Sequence, residues 1–193
     1  MTETTEPKEE KTETQNTSYK KELIIGSIVA LSALAIVAAI VLFVYNSTPK
    51  VVYEPAAACD SLSVTEAKEL LGDGAFNTNT NEPVLSKNTA TSKCGYADGN
   101  VDTEKIQVAA VIVRSGVNDE GVQQNKDEFA NGTPTQAIEI VKDVGDSAYF
   151  NQANGQLNVL KGRDWFVLSY GLGSAPEANT VESVLKLAQK VLN

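Results

Sequence analysis

The 193-residue chain contains no histidine. That absence removes His-based catalytic triads, imidazole general bases and His-containing zinc sites together. Cysteine is nearly as scarce, with Cys59 and Cys94 the only two; paired with each other, neither would serve as a nucleophile. Basic charge is also short, with 16 Lys and Arg against 25 Asp and Glu and a net charge of −9. The first 22 residues hold four Lys and six Glu, a net of −2, which leaves −7 for the remainder. An acidic domain of that kind disfavours nucleic acid and anionic lipid surfaces, because phosphate contacts and membrane attraction both require positive charge.

What the chain does contain is unevenly spread. Residues 1–22 are rich in Thr, Glu and Lys and do not bury enough surface to offset their ordering entropy, so a disordered tail is expected. The next stretch, "LIIGSIVALSALAIVAAIVLFVY", residues 23–45, has no charge. As a helix it would cover a hydrocarbon layer of roughly 30 Å. It is longer than the apolar part of a cleaved signal peptide and is expected to be retained as a single transmembrane helix. Lys20 and Lys21 abut its N-terminal side, which predicts a cytoplasmic tail and an extracytoplasmic remainder. The chain is thus divided into a tail (1–22), a membrane span (23–45), a linker (46–55) and an extracytoplasmic domain (56–193).

Cys59 sits in "PAAACDSLSVTEAKELLG", whose Ala-Ala-Ala-Cys approach suggests a lipid-bearing cysteine. A lipobox, however, ends its apolar stretch directly, whereas Cys59 follows Tyr45 by 14 residues, past Pro49 and Pro55. With both cysteines in the segment predicted to face an oxidising compartment, a disulfide is the simpler account; lipidation of Cys59 and two free thiols are the alternatives. Ser63 to Glu66 form a capping-box pattern, with Leu62 as a hydrophobic staple. Ala67, Leu70 and Leu71 then make an apolar face, and Gly72 supplies a left-handed stop.

"KCGYA" leads through Asp98-Gly99-Asn100 into "EKIQVAAVIVRS", a run apolar on both faces that predicts a central strand covered on two sides. A helix is expected over Asn118 to Asn131, with Asn118 as cap, Val122 and Phe129 as its main apolar residues and Gly121 as a cost. "AIEIV", "SAYFN", "QLNVLK" and "DWFVLSY" read as an antiparallel meander, the last three joined at Asn154-Gly155 and Gly162-Arg163. A closing helix carries Pro176 in its first turn and Val181, Val184, Leu185, Ala188, Val191 and Leu192 as one stripe. The expected fold class is α+β, an antiparallel β-sheet with packed helices.

The segments "CDSLSVTEAKELLG", "SKCGY", "VKDVGDSAYF" and "LNVLKGRDWFVLSY" resemble the two-cysteine cell-envelope lipoprotein family of actinobacteria. The resemblance spans most of residues 58 to 170. It implies a PsbP-like sandwich and pairing of Cys59 with Cys94. The chain departs from the family in having a transmembrane anchor where a lipid on an upstream cysteine is common, and Tyr96 where Trp is usual.

Other candidate sites read as structural. "NTNTNEP" alternates Asn77, Asn79 and Asn81 like the start of a calcium loop, but Glu82 and Asn88 stand where Gly and Glu are needed, which favours a polar surface loop. "GLGS", residues 171–174, lacks the third glycine of a phosphate cradle and would ease a strand into a helix. Trp165 and Tyr170 lie on opposite faces of the last strand and are expected in the core rather than in a cleft. Asp146 is expected to accept from nearby backbone. No metal, cofactor or catalytic residue is predicted. The functional expectation is a single-pass envelope protein whose outer domain binds an envelope protein or a small lipid or glycan. A His-free cell-wall or lipid-modifying enzyme is the competing reading.

Overall fold

The computed structural model describes residues 52–132 and 138–193. The predicted tail, the predicted span at 23–45 and most of the predicted linker lie outside them. Among the described residues, no helix is long and apolar enough to cross a membrane.

Seven strands form one antiparallel sheet: β1 (Phe76–Ser86), β2 (Thr89–Ala97), β3 (Gln107–Gly116), β4 (Ile138–Val141), β5 (Ser147–Asn151), β6 (Gln156–Lys161) and β7 (Asp164–Leu172). Their order is β1-β2-β3-β7-β6-β5-β4, with β1 and β4 at the edges. Among the described residues, four α-helices, α1 (Ala58–Ser61), α2 (Val64–Leu71), α3 (Asp119–Asn131) and α4 (Val181–Val191), complete the α+β architecture expected from the sequence.

Strand alternation sorts the core. Ala109, Val111 and Val113 of β3 and Phe166 and Leu168 of β7 point to one face and are buried. Ala58, Leu62, Ala67, Val184, Leu187 and Ala188, supplied by α1, α2, α4 and the turn between the first two, close over that face. The opposite face is different. Val108, Ala110, Ile112 and Val167 are only half-buried, so β3 is not covered equally on both sides as its apolar run suggests. The reason is that α3 seals only part of the second face, where Phe129 packs 5.1 Å from the Tyr149 ring and 5.8 Å from the Trp165 ring.

Helix ends follow local chemistry. Ser63 and Glu66 form the predicted capping box. Gly72 has the expected positive φ of 92°, but its ψ of 169° is extended rather than left-handed helical. Asn118 accepts from the Gly121 N–H at 2.8 Å and starts α3 as predicted. The buried stripe of α3 is Gly121, Asn125 and Phe129, with Val122 only half-buried. The last helix begins later than expected. Pro176 belongs to a separate 3-10 turn, Pro176–Ala178, and α4 starts after a second capping box between Thr180 and Ser183. The break is held by Asn179, whose side chain accepts from Leu172 N–H at 2.8 Å and donates to Leu172 O at 3.3 Å. Leu187, outside the predicted stripe, is fully buried.

The region predicted as a polar loop at "NTNTNEP" is strand β1. Its Asn and Thr side chains are largely exposed because β1 lies at the sheet edge, so the sequence carries no inward apolar alternation there. Two register shifts and Pro83 interrupt this edge, devices that discourage pairing with other chains.

Candidate functional site

The described chain enters the sheet through a strap, residues 53–62, that is held by a series of hydrogen bonds. Tyr53 donates its backbone N–H to Val117 O at 2.8 Å and its hydroxyl to Asp119 Oδ1 at 2.7 Å. The Arg163 guanidinium lies 5.2 Å from the centre of the Tyr53 ring and donates to Glu54 O. Two serines on β2 and β3 then grip the backbone. Ser115 Oγ accepts from Ala56 N–H at 3.0 Å. Ser92 Oγ donates to Ala56 O and accepts from Ala58 N–H, both at 2.9 Å.

One residue further on, Cys59 is bonded to Cys94, with S–S 2.04 Å and Cα–Cα 5.1 Å. The expected disulfide is therefore present. It joins β2 to α1, a four-residue helix of its own, rather than directly to the helix at 64–71. Cys94 is buried and Cys59 half-buried, with Thr80 Oγ1 of the edge strand 3.6 Å from the Cys59 sulfur.

Ser115 of β3 and Asp164 of β7 stand opposite each other across the ladder. Burial pushes the Asp164 carboxyl above its ordinary pKa, against the lowering effects of the Ser115 hydrogen bond and the Arg163 charge. Asp164 Oδ1 is buried without a hydrogen-bond partner. Ser115 is fully buried. Its hydroxyl oxygen accepts from the Ala56 amide at 3.0 Å. Ser115 thus holds a backbone amide of the strap in place.

A Ser-x-x-Lys spacing occurs at Ser183 and Lys186. Ser183 is the third residue of α4, and its hydroxyl lies 2.7 Å from Thr180 O and 3.3 Å from Tyr170 O while accepting from Thr180 N–H. It works as a cap. Ser18 and Lys21, and Ser47 and Lys50, repeat the spacing outside the described residues.

Two crevices flank these elements. One, of about 420 Å³, lies beside the strap and is lined by Glu54, Ala56, Asp60, Ser61 and Arg163. The other, of about 240 Å³, lies between the β4–β5 turn and the end of α4, with Val144, Leu185, Ala188 and Leu192 as its apolar part and Asp143 and Gln189 beside them. Among the described residues, no group of three or more His, Cys, Asp or Glu is placed to hold a metal ion.

The remaining candidates fall where their structural readings put them. Trp165 packs against Phe129 and donates Nε1–H to Asn158 Oδ1 at 3.1 Å. Tyr170 packs against the opposite core and donates its hydroxyl to Leu70 O at 2.8 Å. They do not converge on a cleft. Asp146 accepts from backbone, as expected, but from Gly162 N–H across 16 residues at 2.6 Å rather than from its own turn. At "GLGS", Gly171 has φ of 134°, and a Cβ there would lie 2.1 Å from Asn179 Oδ1, so glycine admits the side chain that ends β7.

Tyr53 of the strap, and Ser92, Ser115 and Arg163 that hold it, are absent from the candidates read from the sequence. A signal for the serines exists: Ser92 shares strand parity with Cys94, and Ser115 with Val113, so both are polar groups at inward positions that require partners. Comparison of the chain with protein-family models, curated proteins and solved structures finds no match.

Proposed function

We propose that the chain is a single-pass membrane protein, anchored through residues 23–45 with its N-terminus in the cytoplasm. Its domain at 56–193 acts by binding in the bacterial cell envelope. The observation that carries this reading is the order of features along the chain. A 23-residue stretch without charge is followed, after a short linker, by a strap fixed through hydrogen bonds and a disulfide. A membrane anchor gives a reason to hold the entry point so firmly, and a disulfide suits the oxidising side of a membrane.

The likeness to the two-cysteine envelope lipoproteins belongs to the same proposal, with the PsbP-like sandwich as its finer fold. It is supported by an antiparallel sheet carrying helices on both faces. The competing enzyme reading draws less support, because Ser115 is buried with its hydroxyl on the Ala56 amide and Ser183 caps a helix. The partner is an envelope protein or a small lipid or glycan. Photo-crosslinking of the full-length chain in its native membrane, followed by pull-down, is expected to recover such a partner joined to the domain at 56–193. Recovery of a turned-over cell-wall or lipid substrate with no crosslinked partner would favour the enzyme.

A further inference from the structure

Three connections meet at the end of the sheet where the described chain enters. Tyr53 N–H donates to Val117 O just past β3, Val117 N–H donates to Asn88 O in the β1–β2 turn, and Gly116 N–H donates to Arg163 O in the β6–β7 turn. This end carries Val52, Val84 and Leu85 at 79%, 62% and 68% exposure. Val84 and Leu85 are consecutive in β1, so their side chains leave opposite faces of the sheet. Both are exposed along the edge strand, while Thr89 and Ala90 across the ladder are buried. Lys87 follows them, also exposed. A long stem ending in an ammonium beside apolar side chains suits a boundary between hydrocarbon and water.

Chain length limits how far this end can lie from a bilayer. Six residues, 46–51, separate the end of the apolar stretch from Val52, a reach of at most about 25 Å. Strands β2 and β3 run from the entry end to the loop that holds Val101, a length of roughly 30 Å. Val101, 97% exposed, therefore marks the opposite end.

We infer that the entry end of the domain rests on the bilayer, with Val84 and Leu85 of the β1–β2 hairpin inserted at the interface. This rests on the anchored reading given above. The attraction is apolar: the chain after residue 22 carries −7, from −9 overall and −2 in the tail, so zwitterionic lipid suffices and anionic lipid adds nothing.

The test places a tryptophan at either end of the full-length chain, as Leu85→Trp or Val101→Trp. Each chain is reconstituted in phosphatidylcholine vesicles with and without bromine on the acyl chains. Both positions face solvent, and the native Trp165 gives both variants the same background. Emission of the Leu85→Trp chain is expected to fall about twofold or more in brominated lipid beyond that background, while the Val101→Trp chain matches wild type. Equal quenching of both, or of neither, in chains that resist carbonate washing refutes the docking alone. Loss of the chain on carbonate washing refutes the anchor, and the docking falls with it.

Discussion

Reduction of the Cys59–Cys94 bond is expected to lower the melting temperature of the domain by about 10–15 °C. The bond closes a loop with a sequence separation of 35 residues. Opening it restores chain entropy to the unfolded state worth about 4 kcal/mol at room temperature. For a domain of this size that is a large part of the net stability. The loop contains α1, α2 and all of β1, so the bond limits the freedom of an entire edge of the fold. Hydrogen bonds to Ser92 and Ser115 still hold the strap after reduction, but each contributes only about 1 kcal/mol. Thermal melts with and without reductant, and of the chain with Cys59 and Cys94 both replaced by Ala, measure the effect. A shift below about 2 °C in both experiments would mean that the loop is already ordered by its other contacts in the unfolded ensemble.

The second large effect has a sign opposite to helix propensity. Replacing a helical glycine with alanine ordinarily stabilises by about 0.5–1 kcal/mol, so Gly121→Ala reads from sequence as an improvement to α3. In the structure, a Cβ at Gly121 would lie 1.8 Å from the backbone oxygen of Asn88 and 3.2 Å from Gly116 Cα. The Asn88 oxygen cannot simply retreat, because it accepts the Val117 N–H at 2.9 Å. Gly116 is equally restricted, since a Cβ there would approach Val122 N to 2.5 Å. Two glycines thus let the first turn of α3 lie against the end of β3 and the β1–β2 turn. Gly121→Ala is expected to cost about 2 kcal/mol net, within the range that overpacking typically produces. Denaturant unfolding reads it as a lower midpoint. A raised midpoint would show that the helix shifts outward at little cost.

The elements legible in the sequence are those whose ends carry their own chemistry. The Ser63–Glu66 capping box and Gly72 bound α2. The hairpin glycines Gly155 and Gly162 adopt φ of 62° and 61°, as their turns require. Both cysteines were legible for a different reason, being the only candidates for each other. Strand β1 was hidden by its edge position, and its turn into β2 was hidden because Lys87, with φ of 54°, takes a conformation usually signalled by glycine or asparagine. The sequence run from Glu104 also overstates β3, which begins at Gln107 after a longer connection. Asn125 illustrates the harder case. It is fully buried and donates to Arg114 O and Arg163 O at 2.8 and 2.9 Å, joining α3 to two strand ends. Its value depends on carbonyls 11 and 38 residues away, which no local pattern reveals. For Ser92 and Ser115 the inward strand parity signals that a partner is needed, but not that the partner is the backbone at Ala56 and Ala58.

The compartment and the staple are tested together by a membrane-impermeant maleimide applied to intact cells, with and without an impermeant reductant. Cys59, half-buried, is the more accessible of the two sulfurs, and Cys94 is enclosed. The expected result is no adduct before reduction and an adduct at Cys59 after it. Labelling without reductant, or labelling that appears only once the cells are lysed, would contradict a disulfide-held domain outside the membrane.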